Sequence, residues 1–525
     1  MTDLVIFHYH FLPGGVSGVV QAAVRALRRY AAGIGRITLA AAAFPEQGFA
    51  GRGSELATEL IPELGYRDGR NVPPQVVAAE GRGLAETLLH RFGSENAVWW
   101  IHNHHLGRNL VFTQAFLEVA RSGRQPLLLQ IHDFPECGRY ESLARLRRSL
   151  TAPPYPVGPS VRYALINQRD LAALREAGIP EGRLHLLENP LDSDGGWRGA
   201  PVRTAAEVKG ALGLADADRP LLLCPVRCIR RKNILEAALL CRLHPEPADL
   251  AVTLPGVSAE EADYSQQVRR AFRRGWATGV FGAGPRLESQ GLGLQDLFRT
   301  GDLVLSASVQ EGFGYPFLQS LTWGRPLLAR ELDVLEGMRD LFDGQPAAFY
   351  REVRAPLTAA PRHRLREAYR RKLDRLVRME LLHEEAAGEL TQRLESVCGG
   401  PAVEFSFLPA AGQMELLRAA SRRAHLAAEL RELNRGPLEA LGRLLGEGRR
   451  SRGPQDRAEP GCRELAERIE LRFGLRRFAE AFTGICRSFA GQPAAGCSAP
   501  DEAAIWDRII RRFATMENVR LLHGD

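Results

Sequence analysis

Uninterrupted apolar runs alternate with helical patterns along the first part of the chain. Apolar residues that recur at intervals of three and four predict a helix over Val16–Tyr30. The runs predicted to be strands are Asp3–His10, Arg36–Phe44, Ala97–His102, Pro126–His132, Val161–Asn167 and Arg183–Glu188. Such runs are typical of parallel strands that are covered on both faces, so they predict a doubly wound α/β domain.

A second α/β pattern follows a polar, glycine-containing stretch at Ser193–Glu207, which we interpret as an interdomain linker. Its predicted strands are Arg219–Val226, Asp249–Gly256, Ala277–Gly282, Asp302–Ser308 and Arg325–Ala329. We therefore predict two Rossmann-like domains over residues 1–195 and 196–400, with a cleft between them. Ligands of such open sheets bind at the carboxyl ends of the strands.

The remaining residues, 401–525, are predicted to form a mostly helical extension. Amphipathic helical patterns already begin at residues 361–395, where acidic and basic side chains interleave. Leu465–Phe489 is another long amphipathic pattern. Gly446–Gly461 and Gly491–Pro500 have the composition of exposed linkers.

The most informative stretch is EGFGYPFLQSLTWGRPLLAR, at Glu311–Arg330. It follows a predicted strand, and its glycine turn precedes a helical pattern in which Pro316 occupies the first turn, where proline is tolerated. The N-terminus of a helix presents unpaired backbone N–H groups and the positive end of the helix dipole. This turn is therefore a candidate site for a phosphate or for sugar hydroxyls.

This stretch resembles the donor-binding motif of retaining GT-B glycosyltransferases, a family that includes sucrose, trehalose and phosphatidylinositol-mannoside synthases. The family pattern carries two acids, and here the first is Glu311 whereas Gln319 replaces the second. The resemblance implies that residues 1–195 form an acceptor-side domain and 196–400 a nucleotide-sugar donor domain. A helix in 401–525 would cross back to the first domain. The implied reaction moves a hexose from a nucleoside diphosphate sugar to a hydroxyl acceptor with retention of configuration.

The same resemblance implies the donor-binding residues. Glu311 and the turn formed by Gly312, Phe313 and Gly314 would hold the sugar, and Gln319 would contact the nucleotide ribose. In the first domain, Gly14 and Gly15 follow the first strand, and the family has a glycine pair there that meets the donor diphosphate or the acceptor. Glycine permits such a close approach of the backbone.

Cations and a histidine complete the implied catalytic set. Arg227 and Lys232, in PVRCIRRKN, match an arginine and a lysine that hold the leaving diphosphate in the family. Fixed cations stabilise the charge that develops as the glycosidic bond breaks. His132, at the end of a strand, matches a histidine that faces the donor sugar in the family; the alternative is a histidine that only caps a buried strand. We expect the neighbouring basic residue Arg230 to be solvated or to bind an anionic acceptor.

Further histidines follow the Ala97–His102 strand. His104 and His105, together with Asp133, are candidates for the acceptor side, although they are also compatible with ordinary loop histidines. A metal site is disfavoured because no carboxylate or cysteine stands at a standard ligand spacing. The resemblance implies chemistry without a bound metal, so we expect no cofactor.

Composition adds the class of partner. The formal net charge is +7, with 25% charged residues. A basic excess suits nucleotide sugars and phosphorylated acceptors, and also peripheral contact with an anionic membrane surface. No nucleic-acid-binding pattern occurs.

No apolar run is long enough for a transmembrane helix, the N-terminus does not resemble a signal peptide, and the cysteines are scattered. We therefore expect a cytoplasmic protein with reduced thiols. The acceptor, whether small molecule, lipid or glycan, and the oligomeric state stay open.

Gln319 keeps a second interpretation open. A carboxylate accepts two charge-assisted hydrogen bonds from ribose hydroxyls, whereas an amide offers one acceptor and weaker bonds. A GT-B-like protein that binds a nucleotide or sugar without turnover is therefore the alternative to an active enzyme. A cofactor-dependent oxidoreductase is disfavoured because no GxGxxG follows a strand.

Overall fold

A computed structural model gives the structure of the protein. It describes residues 1–46, 48–49, 56–67, 72–192, 203–216, 218–256, 259–450, 460–489 and 500–522. The chain divides into two compact units. The first contains Met1–Ser193, Leu376–His383 and Glu467–Asn518, and the second contains Asp194–Arg375, Glu384–Ala466 and Val519–Asp525. Much of each predicted linker, at residues 193–202, 451–459 and 491–499, lies outside the described residues.

The first unit is built on a seven-stranded parallel sheet with the order β3-β2-β1-β4-β5-β6-β7. Its strands are β1 (Thr2–Phe7), β2 (Ile34–Ala41), β3 (Ala57–Leu60), β4 (Ala97–His102), β5 (Leu127–Ile131), β6 (Val161–Leu165) and β7 (Leu184–Leu186). The helices between them are α1 (Gly15–Tyr30), α2 (Pro74–Phe92), α3 (Leu110–Ser122), α4 (Tyr140–Ser149) and α5 (Gln168–Ala177). Parallel strands require crossover connections, and five of those in this sheet carry the helices α1 to α5.

The second unit contains a six-stranded parallel sheet with the order β10-β9-β8-β11-β12-β13. Its strands are β8 (Leu221–Arg227), β9 (Asp249–Leu254), β10 (Gly279–Phe281), β11 (Leu303–Ser306), β12 (Leu327–Arg330) and β13 (Ala347–Tyr350). Its helices up to β13 are α6 (Ala205–Leu212), α7 (Ile234–Leu243), α8 (Ala259–Arg273), α9 (Ala283–Glu288), α10 (Leu294–Thr300) and α11 (Tyr315–Thr322).

The rest of the chain is mostly helical. A two-stranded antiparallel ladder, β14 (Arg354–Pro356) with β15 (Ala402–Glu404), is its extended part. The helices are α12 (Ala359–Arg378), α13 (Glu384–Gly399), α14 (Ala410–Ala420), α15 (Ala424–Leu433), α16 (Arg435–Arg450), α17 (Pro460–Phe473), α18 (Leu475–Ser488), α19 (Glu502–Phe513) and α20 (Met516–Val519). The two parallel sheets and this helical region confirm the predicted fold class.

Aromatic packing attaches α18 to the first sheet. The ring of Trp100 in β4 lies 4.7 Å from that of Phe482, and Phe478 belongs to the same buried cluster. Each such side chain contributes on the order of 2–3 kcal/mol when it is removed from water. The helical pattern predicted at Leu465–Phe489 therefore ends in a helix that packs on the sheet of residues 1–193.

Two further expectations can be compared with the structure. No helix in the described part of the chain is long and apolar enough to cross a membrane. Six cysteines have side chains that the structure describes; they form no disulfide with one another, and all but Cys486 are buried. Burial raises the pKa of the Cys228 thiol to about 12, so it is protonated and unreactive at neutral pH.

Candidate functional site

The order of strands in the second sheet reverses between β8 and β11, which are hydrogen-bonded neighbours. Chain connections leave to opposite sides there, so the loops after the two strands diverge and leave room for a ligand at their carboxyl ends. The loop after β8 carries Lys232, and the loop after β11 carries Glu311. These two residues of the predicted site are therefore placed together by the topology of the sheet.

Lys232 and Glu311 form a buried ion pair. The Lys232 Nζ donates to Glu311 Oε1, and the two residues are 9% and 5% exposed. Arg231 Nη1 lies 3.9 Å from Glu311 Oε2. Burial alone would raise the pKa of the Glu311 carboxyl, but the charges of Lys232 and Arg231 outweigh burial and hold that pKa below its usual range. Glu311 is thus ionised at neutral pH.

Backbone contacts bring the two loops together. Arg230–Lys232 form one turn of 3-10 helix, and Asn233 follows with a φ of 49°, in the left-handed region that asparagine tolerates. The Val309 N–H donates to Arg231 O at 2.8 Å, and Arg231 Nη1 donates to Gln310 O at 3.2 Å. The position of Lys232 therefore depends on the loop that carries Glu311.

The glycine turn has the geometry that its sequence predicts. Gly314 has a φ of 88°, and a Cβ there would lie 2.7 Å from Phe317 Cδ2, so both backbone conformation and packing require glycine. Helix α11 begins at the next residue and has Pro316 in its first turn. The ring of Phe313 is buried 5.0 Å from that of Tyr315, while Gly312 is half-buried.

The other two predicted donor-site residues of the second unit, Gln319 and Arg227, are more accessible than Lys232 and Glu311. Gln319 lies on α11 and is half-buried. Arg227 ends β8; its side chain is 37% exposed, and its Nη1 is 3.9 Å from Glu261 Oε1. Arg227 is therefore the cation of this loop that an incoming anion reaches with the least rearrangement, whereas Lys232 must exchange or share its bond to Glu311.

Arg230 corrects a sequence-based expectation. We expected its side chain to be solvated or to bind an anionic acceptor, but it is only 9% exposed. Its Nη2 donates to Ser406 O at 2.7 Å and to Leu408 O at 3.0 Å. Arg230 therefore attaches the loop of Lys232 to the segment after β15, because a buried guanidinium needs acceptors that can replace water.

A buried polar network behind these loops was not predicted. Arg330 donates to both carboxylate oxygens of Glu236, at 2.7 and 2.6 Å, and to Glu404 Oε1 at 2.5 Å. The Tyr350 hydroxyl donates to Glu236 Oε1 at 2.9 Å. Asn233 Nδ2 donates to Glu236 Oε2 at 2.7 Å, which connects the network to the residue beside Lys232.

The remaining predicted residues belong to the first unit, whose strand order reverses between β1 and β4. Gly14 and Gly15 follow β1 and are exposed where α1 begins. A Cβ at Gly15 would meet nothing within 4 Å, and one at Gly14 would meet only Leu12 O at 3.8 Å. The protein's own packing therefore does not require these glycines, as is expected where a ligand approaches the backbone.

Gly15→Ala tests that interpretation. The added methyl group should leave stability unchanged or raise it by up to about 1 kcal/mol, since it is unobstructed and reduces the entropy of the unfolded chain. The donor KM should nevertheless rise severalfold if a ligand occupies the space. Gly18→Ala is the matched control, because Gly18 also lies in α1 and its added methyl group would meet nothing within 4 Å. Equal KM values for the two variants would contradict the role of Gly15.

His132 follows β5 and is buried with a second histidine. The His132 Nε2 atom lies 2.9 Å from His102 Nδ1, and the backbone N–H of His132 donates to Asn103 Oδ1 at 2.8 Å. Burial lowers the pKa of His132 to about 4, so the ring is neutral at pH 7. A neutral imidazole can accept or donate a single hydrogen bond at a sugar hydroxyl but cannot offer a positive charge there.

His104 and His105 are both fully buried. His104 Nε2 lies 2.7 Å from Pro154 O, and burial lowers the pKa of His104 to about 4. In this conformation neither imidazole presents a surface to an acceptor. Asp133 is accessible, with 29% of its side chain exposed, and pairs with Arg139 Nη2 at 3.2 Å. The described residues contain no group of three or more histidine, cysteine or carboxylate side chains that could hold a metal ion.

Fold and site together define a chain of two Rossmann-like α/β domains, with a cationic, glycine-containing loop pair at the switch point of the second. The chain is similar along its entire length to the mannosylglucosyl-3-phosphoglycerate synthase of Petrotoga mobilis, to which it is 29% identical over 545 residues, 99% of this chain and 99% of that protein. No known protein-family profile matches the chain.

Solved structures with weaker similarity include HepE and a sucrose-phosphate synthase. Anabaena HepE, in complex with UDP and glucose, has 16% identity and a TM-score of 0.43, and the match covers 67% of this chain and 86% of HepE. Sucrose-phosphate synthase from Thermosynechococcus elongatus has 12% identity and a TM-score of 0.45, with 84% and 99% covered. At these TM-scores the assignment of the fold depends on the two sheets described above.

Proposed function

We propose that this protein is a glycosyltransferase that moves a hexose from a nucleoside diphosphate sugar to a hydroxyl acceptor with retention of configuration. The observation that carries the proposal is the meeting of Lys232 and Glu311 at the switch point of the second sheet, beside the glycine turn of α11. Such a place combines fixed positive charge with a helix N-terminus, which suits a leaving diphosphate. The similarity to a synthase along the entire chain supports the same reaction class.

In the proposed reaction, Lys232 and Arg227 hold the diphosphate as the bond to the sugar breaks. Glu311 and the backbone of Gly312–Gly314 hold the sugar hydroxyls, and Gln319 contacts the ribose. The Lys232–Glu311 pair holds the ammonium group beside the glycine turn, and Lys232 shares its hydrogen bonds between Glu311 and the diphosphate once the donor has arrived. His132, which is neutral, faces the sugar from the first domain.

We further infer that the donor sugar is mannose and that the acceptor is a phosphorylated glucosyl compound. The Petrotoga mobilis relative is named for a product that contains mannose, glucose and 3-phosphoglycerate. The formal net charge of +7 suits an anionic acceptor as well as an anionic donor.

The decisive experiment incubates the purified full-length chain with GDP-mannose, UDP-glucose or ADP-glucose, each with and without glucosyl-3-phosphoglycerate. We expect mass spectrometry to detect a mannosylated product. NMR should show that the transferred sugar has the same anomeric configuration in the product as in the donor. Thermal stabilisation by the cognate nucleotide should reach about 2.7 kcal/mol at 100 times its dissociation constant. Stabilisation by a nucleotide without hydrolysis or transfer of any donor would favour the alternative, a non-catalytic binding protein.

Activity should survive EDTA. In the proposed site Arg227, Lys232 and the N-terminus of α11 neutralise the diphosphate, so a bound divalent cation is not needed. The measurement is the initial rate after exhaustive chelation, compared with the rate in added Mg²⁺ or Mn²⁺. Complete loss of activity that either cation restores would overturn the proposed metal independence.

Gln319→Ala should weaken donor binding by about 1–2 kcal/mol, the scale of a lost hydrogen bond whose partner stays unpaired. The turnover number should change little, because the ribose is remote from the bond that breaks. Gln319→Glu serves as the comparison: it introduces the acid of the family pattern and should lower the donor KM. Steady-state kinetics of both variants check this, and an unchanged KM in Gln319→Ala would make the ribose assignment wrong.

A further inference from the structure

Arg520 lies 211 positions along the chain from Val309, yet it contacts the loop that carries Glu311. It is 7% exposed, and its guanidinium lies 5.2 Å from the centre of the Phe407 ring. Its Nη2 donates to Val309 O at 3.5 Å. The backbone N–H of Val309 in turn donates to Arg231 O. Val309 is thus held between Arg520 and the loop of Lys232.

The second terminal nitrogen of Arg520, Nη1, contacts β15 and the segment that follows it. Arg520 Nη1 donates to Ser406 Oγ at 2.5 Å and to Glu404 Oε2 at 3.2 Å. The Ser406 carbonyl in turn accepts from Arg230, two residues before Lys232. One guanidinium therefore contacts the loop of Glu311 directly, at Val309, and the loop of Lys232 through one intermediate residue, Ser406.

The acceptors around residue 520 require the several N–H donors of an arginine side chain. Arg330 and Arg520 share the Glu404 carboxylate, each on a different oxygen. A planar fork with several N–H donors can serve a carboxylate, a hydroxyl and a carbonyl at fixed angles, whereas a lysine ammonium cannot hold all three in the same geometry. A residue needed only to fill space would be replaceable by an unbranched apolar side chain of similar length.

We propose that Arg520 is a positioning residue for the candidate donor site, one that fixes the loops of Lys232 and Glu311 relative to each other. The inference depends on the proposed function for its catalytic consequence, but not for its structural one. Misplacement of reacting groups by about 1 Å can cost on the order of a hundredfold in rate. Arg520→Met should therefore lower kcat by about tenfold to a hundredfold.

The test compares Arg520→Met with Arg512→Met in the full-length chain. Arg512 is the matched control: it lies on α19, its side chain is 35% exposed, and it pairs with Glu176 in the first unit. Hydrogen–deuterium exchange should increase in peptides that cover residues 228–233 and 307–314 in Arg520→Met only. Unchanged exchange in both peptides would overturn the positioning role, whatever the activity. If Arg520→Met does not fold, Arg520→Lys provides the same comparison.

Kinetics separate positioning from a general loss of stability. With GDP-mannose and glucosyl-3-phosphoglycerate, at a temperature where both variants are folded, kcat should fall in Arg520→Met and not in Arg512→Met. On a Lys232→Ala background, Arg520→Met should add little, because residues that act as a unit are not additive. Parental kcat in Arg520→Met, or full additivity with Lys232→Ala, would overturn the inference. A parent chain that turns over no donor would instead overturn the proposed function.

Discussion

Replacing Lys232 by alanine is expected to lower kcat at least about a hundredfold at saturating donor. The ammonium group is a fixed cation in a buried loop, and in the proposed reaction the leaving diphosphate gains negative charge as its bond to the sugar breaks. Its removal takes away stabilisation that is larger in the transition state than in the ground state. The measurement is kcat and KM of the variant beside those of the parent.

The buried partner of Lys232 requires a control for folding. Lys232→Ala leaves the ionised Glu311 carboxylate without its closest cation, and a broken buried pair can cost about 3–5 kcal/mol in stability. The double variant Lys232→Met with Glu311→Gln removes both charges, so it should regain melting temperature without regaining activity. Turnover close to that of the parent in either folded variant would contradict a catalytic role for Lys232.

Sequence reasoning located the elements whose patterns are strong. The Ala97–His102 strand was predicted at the boundaries that the structure gives, and the predicted helix over Val16–Tyr30 begins one residue earlier. Two strands of the parallel sheets were missed: β3, a half-exposed strand at the edge of the first sheet, and β13, at the edge of the second. The two short strands of the antiparallel ladder, β14 and β15, were missed as well. β3 and β13 have mixed burial patterns, so their sequences lack the long apolar run of a central strand.

The site could be predicted only where local sequence determines local structure. The turn at Gly314 is recognisable because a left-handed glycine before a helix has a local cause. The contacts of Arg230 with Ser406 O and Leu408 O join residues that are 176 and 178 positions apart. No periodicity or spacing in the chain marks such a pair, so the sequence could not distinguish an anchored Arg230 from a solvated one.

Arg330→Met is expected to be the most destabilising single substitution among those considered. Arg330 is 4% exposed and is hydrogen-bonded to both Glu236 and Glu404, so its removal leaves the buried carboxylate of Glu236 and the half-buried one of Glu404 without a common cation. A buried pair broken on one side costs about 3–5 kcal/mol. In a cooperative unit of about half the length of this chain, that corresponds to a fall in Tm of about 5–10 °C.

The control and the pH dependence make this expectation specific to the buried network. Arg351→Met removes a side chain that is 88% exposed and pairs with Glu331 at 3.1 Å, so its effect should stay within about 0.5 kcal/mol.

The pH dependence follows from Glu404. Burial alone would raise the pKa of Glu404, but Arg330 and Arg520 outweigh burial and keep that pKa below its usual value in the parent. A carboxyl with a lowered pKa in the folded state contributes stability above its unfolded pKa and loses it as the pH falls. The difference in Tm between parent and Arg330→Met should therefore be largest at neutral pH and shrink in acid, as Glu404 becomes protonated. Equal Tm losses for Arg330→Met and Arg351→Met, or a difference that grows in acid, would show that the network does not stabilise the second unit through these charges.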